Sequence, residues 1–518
     1  MTGRITRWIM PLAAALVLPL GLAPLPATAA TSSTAVAPAA ACGAPAWQQG
    51  TAYTGGDTVT HNGHAWEAEW WTKKEPVASQ WGPWKDLGPC DSDGGDPPGD
   101  GDGGDPPGDG DGGSSARYHK VGYYMQWSTY GRDYQVKNLD TSGAAGKLTH
   151  LNYAFIKISP EGTCVSGDPY ADYVQSFGAA ESVDGQGDTW DQPLRGNFNQ
   201  LVELQQKYPD LKVYASLGGW TWSQYFSDAA LTRASREKLV SSCVDMLLEG
   251  NLPSRSNAGG QGVASEVFDG IDLDWEWPGS PGHPHNEWRP EDKHNFTLLA
   301  KEFRRQLDAL EQQTGEQYGL SAFLPASVQK IDAGFEVDEV FQTLSFANIQ
   351  GYDFHGSTWE PNQTNHQSQL YSPADDPAPA DSQFSFDKAI DAYLERGAPA
   401  GKMTIGIPFY GRGWAGVASG DSPYNSASGP APGQFPSTDG NGSYEWLMTT
   451  KNLQIHYDPQ AVASWGYANG ELWSFDTPKV IKEKMAYVKS KGLKGAMIWP
   501  MSGDYQGRLM TAIDTGLQ

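Results

Sequence analysis

From residue 117 to residue 518 the chain alternates short apolar runs with longer segments of helical periodicity. Eight runs rich in apolar, β-branched and aromatic residues predict strands: Lys120–Gln126, Leu148–Ile158, Leu211–Leu217, Val267–Trp277, Gly319–Leu324, Phe346–Tyr352, Met403–Tyr410 and Gly495–Pro500. Five segments with apolar residues at i, i+3 and i+4 predict helices: Asn197–Tyr208, Leu231–Glu249, Pro290–Gln313, Phe386–Arg396 and Pro478–Ser490. This alternation predicts an α/β fold, a (β/α)8 TIM barrel. Because such barrels need about 250 residues, the surplus is assigned to two insertions, Pro160–Pro193 and residues 412–471.

The fourth predicted strand carries the candidate chemistry. Since side chains alternate along a strand, Asp272, Asp274 and Glu276 share one face. Ile271, Leu273, Trp275 and Trp277 are then expected to share the other face, toward the helices. Three carboxylates converging inside a barrel repel one another, so at least one is expected to hold a proton. Glu276 lies nearest the C-terminal end of the strand, where barrel active sites open, and Asp269 has the wrong parity and is expected to be structural.

Residues 42–90 have a different pattern, with short alternating runs between the turn signals at 54–57 and 61–64. This pattern predicts a small all-β unit. It contains six tryptophans: Trp47, Trp66, Trp70, Trp71, Trp81 and Trp84. So short a segment cannot bury six indoles, so we expect Trp47 and Trp66 in its core and others exposed.

Two segments outside these domains have their own signatures. Residues 91–115 repeat Gly-Asp-Pro-Pro-Gly-Asp-Gly-Asp-Gly at 95–103 and 104–112, without an apolar residue to pack, and predict an extended acidic linker. Residues 1–30 begin with Arg4 and Arg7, continue as an apolar run and end in small residues, the pattern of an export signal. We therefore expect a secreted protein.

Composition narrows the function classes. The net charge of the 518 residues is −25 with no basic block, which argues against nucleic-acid binding and against docking on anionic membranes. Twenty tryptophans with only 19% charged residues favour a carbohydrate ligand, because pyranose rings present flat C–H faces that stack on aromatic rings. His283 and His285 with Glu287 are interpreted as a solvated loop, not a metal site.

The four cysteines suit an oxidising compartment. Three pairings are possible, and Cys42–Cys90 with Cys164–Cys243 keeps each bond inside one domain. None lies in a C-x-x-C spacing, so metal binding by cysteine is not expected.

The 42–90 segment resembles the carbohydrate-binding modules of families 5 and 12. The similarity lies in Ala46-Trp47, in residues 53–59, in Ala68-Glu69-Trp70-Trp71-Thr72 and in Trp84-Lys85-Asp86-Leu87. Those modules bind chitin or cellulose. The resemblance implies that four side chains stack on sugars: Tyr53, Trp70, Trp71 and Trp84.

The barrel resembles glycoside hydrolase family 18, the chitinases and their relatives. The family patterns are D-x-x-D-x-D-x-E at residues 269–276, S-x-G-G at residues 216–219 followed by Trp220, a Tyr-Asp pair at Tyr352-Asp353, and the eighth-strand Trp499. Gln350 departs from the family, which often has Met there.

This resemblance implies a retaining, substrate-assisted hydrolysis. Glu276 would protonate the leaving oxygen while the 2-acetamido carbonyl of the sugar attacks the anomeric carbon. Asp274 would hold the acetamide N–H and share a proton with Asp272, and Tyr352 with Asp353 would orient the acetamido group. The mechanism needs no metal and no cofactor.

The resemblance also implies sugar-binding side chains. Trp499 would form the floor at the cleavage point, and Trp220 would stack on the leaving-group side. The remaining expected contacts are Trp127, Tyr124 and Phe155 on the non-reducing side, with Met497, Arg412 and Trp359 elsewhere in the cleft. The insertion at 412–471 resembles a small α+β wall found in one branch of the family.

The expected function is therefore that of a secreted, monomeric chitinase acting on chitin and chito-oligosaccharides. An endo-β-N-acetylglucosaminidase acting on N-glycans is disfavoured by the appended module and the wall. A non-catalytic chitin-binding lectin is disfavoured by the intact Asp274 and Glu276. A cellulase would suit the module, but the barrel motifs serve acetamido sugars.

Overall fold

The computed structural model describes residues 42–48, 51, 53, 56–68, 72, 75–76, 84–90 and 118–518. The chain divides into two compact units, one ending at Gly99 and the other beginning at Asp100. The expected export signal and the expected linker lie outside the described residues.

The first unit is a three-stranded antiparallel sheet. Its strands are β1 (Thr58–His61), β2 (His64–Ala68) and β3 (Trp84–Pro89), in the order β1-β2-β3. Val59, Trp66 and Trp84 form its buried core, against which Trp47 and Tyr53 pack. The Cys42–Cys90 disulfide joins the two ends of this unit. The expectation that Trp84 stacks on sugar is wrong, because only 2% of its surface is exposed.

The second unit is built on a closed barrel of eight parallel strands. The strands before the insertion are β4 (His119–Met125), β5 (His150–Ile158), β6 (Cys164–Ser166), β7 (Lys212–Gly218), β8 (Leu252–Arg255), β9 (Ala258–Gly260), β10 (Gly270–Asp274), β11 (Gly319–Leu324), β12 (Phe346–Ile349) and β13 (Met403–Pro408). After the insertion, β20 (Gly495–Trp499) completes the barrel, whose order is β4-β20-β13-β12-β11-β10-β7-β5, closed by the pairing of β4 with β5. The predicted (β/α)8 architecture is confirmed, and each predicted strand overlaps an observed one.

Helices cover the outside of the barrel, and some of them begin or end at recognisable sequence signals. The α-helices are Val136–Thr141, Gly196–Lys207, Phe226–Ala230, Arg233–Cys243, Asp292–Thr314, Val328–Gly334, Val337–Thr343, Phe386–Glu395, Tyr444–Thr450, Pro478–Ser490 and Arg508–Leu517. Short 3-10 turns occupy 126–129, 145–147, 400–402 and 501–503, and π-helical turns occupy 170–174 and 244–248. Thr477 caps the helix Pro478–Ser490 by accepting from the Val480 amide, and the longest helix ends at Gly315, whose φ is 80°.

An antiparallel insertion separates β13 from β20. It contains β14 (Tyr410–Ala415), β15 (Gly429–Pro430), β16 (Asn441–Ser443), β17 (Gln454–Asp458), β18 (Ala463–Ala468) and β19 (Glu471–Ser474) with the helix Tyr444–Thr450. These strands form one sheet beside the barrel. This insertion sheet matches the α+β insertion predicted between the seventh and eighth barrel strands.

Two expectations about side-chain direction in the barrel are wrong. Tyr124 was expected in the cleft, but it is buried outside the barrel, with its ring against those of Tyr134 and Tyr153. Tyr123 points into the lumen instead. Trp277 was expected to face the helices, but it packs with the lumen side chains, because the regular strand β10 ends at Asp274 and strict alternation ends with it.

A second disulfide, Cys164–Cys243, ties β6 to the end of a covering helix, so both bonds follow the pairing that keeps each within one domain. Across the part of the chain that the structure describes, no helix combines the length and apolarity needed to span a bilayer.

Candidate active site

Asp272 lies at the centre of the barrel and is completely buried. Its carboxylate accepts hydrogen bonds from the Tyr123 hydroxyl (2.7 Å), the Ser216 hydroxyl (2.7 Å) and the Ser321 hydroxyl (2.6 Å). Burial raises the pKa of Asp272, and these donors oppose the rise. Asp272 is thus a carboxylate held in place by side chains from three other strands, the adjacent β7 and β11 and the more distant β4.

Asp274 lies on the same face of β10, one pleat further along. Burial, with Glu276 and Asp272 nearby, raises the pKa of Asp274 well above its usual range. Its Oδ1 atom is buried and has no hydrogen-bond partner. The site therefore contains a carboxylate oxygen that can accept a hydrogen bond from a ligand.

Glu276 lies beyond the end of β10, where its carboxylate faces a cavity. Burial raises the pKa of Glu276 to about 8; the charge of Lys330 opposes this and that of Asp353 adds to it. At neutral pH the group is mostly protonated, which suits a general acid.

The end of β7 packs directly against the main chain of β10 at Asp274. Gly218 has φ 106°, and a Cβ atom there would lie 2.4 Å from the main-chain oxygen of Asp274. Only glycine permits that approach. The S-x-G-G pattern therefore has a steric reason in this structure.

A cavity of about 760 Å³ opens above the acids. Its lining combines the acids with aromatic and polar side chains: Tyr123, Trp127, Phe155, Trp220, Thr221, Asp274, Glu276, Trp277, Phe323, Lys330, Gln350, Tyr352, Asp353, Thr358, Trp359, Arg412 and Trp499. A cavity of this size lies in the range that binds small organic ligands, and its aromatic walls suit the flat faces of a short chain of sugars.

Tyr352 and Asp353 follow β12 and lie on one wall of the cavity. Asp353 adopts a left-handed backbone conformation, with φ 58°. Its carboxylate accepts from the Tyr410 hydroxyl (2.6 Å) and from Nε and Nη2 of Arg412 (both 2.8 Å). Tyr410 and Arg412 come from β14, so the insertion sheet contributes directly to the site. Arg412 was expected to contact substrate; it lines the cavity while its guanidinium is paired with Asp353.

The aromatic side chains are arranged around the acids as flat walls. Trp499 stacks against Phe155 with centroids 5.7 Å apart, and Trp127 lies 6.1 Å from Phe155. Trp220 and Trp359 stand at the rim, 46% and 47% exposed, and the Arg412 guanidinium lies 5.1 Å from the centroid of the Trp359 ring. These five predicted aromatic residues all line the cavity.

Other predicted binding residues lie elsewhere. Met497 does not line the cavity; it is fully buried below Tyr352, whose hydroxyl donates to its sulfur at 3.7 Å. Tyr124 lies outside the barrel, as described above. In the small domain Tyr53 packs edge-on against Trp84, with centroids 5.3 Å apart, while Trp70 and Trp71 lie outside the described residues.

Several cavity residues were missed by the sequence interpretation. Lys330 lines the cavity, and its ammonium lies 4.9 Å from the centroid of the Trp277 ring. Burial lowers the pKa of Lys330 to about 8, and Glu276 opposes that shift. Phe323 and Tyr410 complete the wall around Tyr352. Tyr123 was missed as well, although it neighbours the predicted Tyr124.

Within the described ranges, no group of three or more His, Cys, Asp or Glu side chains is arranged to hold a metal ion, and this includes the His283–Glu287 loop. Asp269, predicted to be structural, pairs with Lys212 at 2.9 Å and accepts from the Val213 amide.

Comparison with known families identifies both units. The chain belongs to glycosyl hydrolases family 18, whose sequence model matches residues 119–504. Residues 46–85 match carbohydrate-binding module family 5/12.

Individual relatives agree with this assignment. Chitinase C of Streptomyces lividans is 39% identical over 388 residues, which cover 74% of this chain and 57% of that protein. Chitinase A1 of Niallia circulans is 36% identical, with 77% of this chain and 59% of that protein covered. The chain thus spans less than two thirds of the length of these relatives. The catalytic domain of a psychrophilic chitinase B from Arthrobacter TAD20 superposes with a TM-score of 0.75 at 44% identity, covering 77% of this chain and 95% of that structure.

Proposed function

We propose that the protein is a chitinase that hydrolyses β-1,4 linkages between N-acetylglucosamine units of chitin and chito-oligosaccharides. The single observation that carries the proposal is the unpartnered Oδ1 of Asp274, buried between a protonated acid and an aromatic-lined cavity. An acetamide N–H is a ligand group that satisfies such an oxygen. A cellulose chain has no N–H to offer.

The reaction begins with proton transfer from Glu276 to the glycosidic oxygen of the leaving sugar. The acetamido carbonyl oxygen of the sugar at the cleavage point attacks its own anomeric carbon, the bond from that carbon to the protonated glycosidic oxygen breaks, and an oxazolinium ion forms. The negative charge of Asp274 holds the acetamide N–H and offsets the positive charge that develops on the ring. Because burial raises the pKa of Asp274, the pair of Asp272 and Asp274 holds a proton, and this proton passes to Asp272 as Asp274 takes up its negative charge.

The second half returns the enzyme to its starting state. Glu276, now ionised, takes a proton from water as the water attacks the anomeric carbon; the bond from that carbon to the acetamido oxygen breaks, which restores the acetamide, and the anomeric configuration is retained. Tyr352 and Asp353 orient the acetamido group, and Trp499 forms the floor on which the reacting sugar stacks. No step requires a cofactor.

We also propose that the small domain binds chitin and that the enzyme acts as a monomer outside the cell. The family match at residues 46–85 supports the first part. Two intradomain disulfides and the N-terminal export pattern support the last.

Glu276→Gln is the direct test, because it keeps the shape of the acid and removes the transferable proton. We expect chitohexaose binding to be retained and turnover to fall by at least a thousandfold. Asp274→Asn should cost at least a hundredfold in kcat, the scale of losing one preorganised charge contact. Hydrolysis by Glu276→Gln at a tenth of the wild-type rate would refute the assignment.

A substrate series tests the role of the acetamido group. Initial products followed by proton NMR should carry the β-anomer, and oligosaccharides of glucosamine should bind without cleavage. The alternative activity is tested in parallel with an N-glycan substrate. Rapid cleavage of fully deacetylated oligosaccharides would contradict substrate assistance.

A further inference from the structure

The backbone of Glu276 is held by side chains instead of by strand pairing. Regular pairing of β10 ends at Asp274, so the Glu276 peptide groups have no partner in the barrel ladder. The Glu276 amide donates to the Ser223 hydroxyl at 2.9 Å. The main-chain oxygen of Glu276 accepts from the Asn286 side-chain amide at 3.0 Å.

Each of these side chains also holds a second part of the site. The Asn286 amide donates to the main-chain oxygen of Trp220, again at 3.0 Å. The Ser223 hydroxyl lies 2.9 Å from the Gly219 oxygen and 3.0 Å from the Asp274 oxygen. Both side chains are buried, so water does not compete for these bonds.

The loop that carries Asn286 packs closely on the same peptide. A Cβ atom at Gly282 would lie 2.0 Å from the Glu276 main-chain oxygen. The main-chain N–H of Asn286 donates to the main-chain oxygen of His283 at 2.8 Å. This bond forms the turn that directs the Asn286 side chain toward Glu276. Glu276 is therefore held between this loop and the turn after β7.

We propose that Asn286 and Ser223 are positioning residues that hold the acid at its working distance and tie it to the turn carrying Trp220. The inference rests on the proposed function, in which Glu276 delivers a proton to the leaving oxygen and Trp220 binds the leaving sugar. Loss of either side chain frees a peptide group that no strand holds. A displacement of about 1 Å at the reacting atoms can cost roughly a hundredfold.

The test compares two substrates that differ in their need for the acid. Chitohexaose has a sugar leaving group, which departs only when protonated. An aryl chitobioside releases a phenol, which departs with far less proton donation. A displaced acid lowers the first rate more than the second, whereas a smaller folded fraction lowers both rates equally.

The variants are Asn286→Leu, which keeps a similar volume without donors, and Ser223→Ala. Asn251→Leu is the matched control, because Asn251 is not part of the cavity lining and its amide donates to Asp245. For both test variants we expect kcat on chitohexaose to fall at least tenfold more than kcat on the aryl substrate. The control should leave the ratio unchanged.

Two results overturn the inference: rates like those of the wild type on both substrates, or equal losses on both. If the wild-type protein cleaves neither substrate, the proposed function fails instead, so the two failures are distinguishable.

Discussion

The pH profile of hydrolysis follows directly from the surroundings of Glu276. With burial raising its pKa to about 8, roughly nine tenths of the molecules carry the proton at pH 7 and roughly one tenth at pH 9. Since only the protonated form donates to the leaving oxygen, kcat/KM should fall about tenfold between pH 7 and pH 9.

The substitution Lys330→Met tests whether the pKa of Glu276 sets the pH profile. The positive charge of Lys330 lowers the pKa of Glu276, and the apolar stem of Met can keep the contact with Trp277. Removing the charge should raise the pKa of Glu276, so the alkaline limb should move to higher pH. Lys330→Arg keeps a charge on the ring and is the matched control.

The assay is kcat/KM on a soluble chito-oligosaccharide from pH 4 to pH 10 at constant ionic strength. The two groups interact, so the limb belongs to the pair and is read as a shift between variants. A wild-type limb centred below pH 6 would refute the buried-acid reasoning. A limb that moves to lower pH in Lys330→Met would refute the role of the charge.

Two further predictions concern stability and surface binding. The rings of His119 and His150 lie 4.4 Å apart at the base of the barrel, and burial lowers the pKa of His119 to about 2 and that of His150 to about 3. Both side chains are therefore neutral in the folded protein, whereas in the unfolded chain they take up protons below about pH 6.5. Stability should therefore fall from pH 7 to pH 5, by up to about 2 kcal/mol per histidine, and calorimetric Tm values should depend less on pH in His119→Gln/His150→Gln; an unchanged dependence would exclude this cause. Deleting residues 42–115 should leave the rate of hydrolysis of soluble oligosaccharides within about twofold of the full-length rate. It should reduce the degradation of crystalline chitin, because binding of the small domain to the solid raises the local concentration of the barrel. Equal rates of the truncated and full-length proteins on solid chitin at low substrate load would contradict this role.

The sequence predicted the barrel well because parallel strands buried on both faces read as continuous apolar runs. The helix Pro478–Ser490 was predicted with its observed bounds, since Thr477 and Pro478 mark its start. Asp272 and Asp274 were also predictable, because alternation holds as far as β10 extends; Glu276 lies past that end and faces the cavity as predicted.

Burial of the strands on both faces also limits what the hydrophobic pattern can predict about side-chain direction. A strand that is apolar on both faces does not reveal which residue points inward, so Tyr124 was predicted in place of Tyr123. Trp277 lies past the end of β10, where alternation no longer applies. Lys330 and Tyr410 come from segments far from the acids in sequence, and only tertiary structure brings Lys330 to the cavity and Tyr410 to Asp353.

The position of Tyr410 and Arg412 on β14 links two traits that an engineer would wish to vary separately. Shortening the insertion to open the cavity for bulkier polymers would remove Tyr410 and Arg412, the hydrogen-bond partners of Asp353. The carboxylate of Asp353, which already raises the pKa of Glu276, would then lack the charge of Arg412 beside it, and only Lys330 would oppose the rise. The width of the cavity and the pH range in which Glu276 keeps its proton therefore change together. A redesign that widens the cavity has to supply a new cation for Asp353.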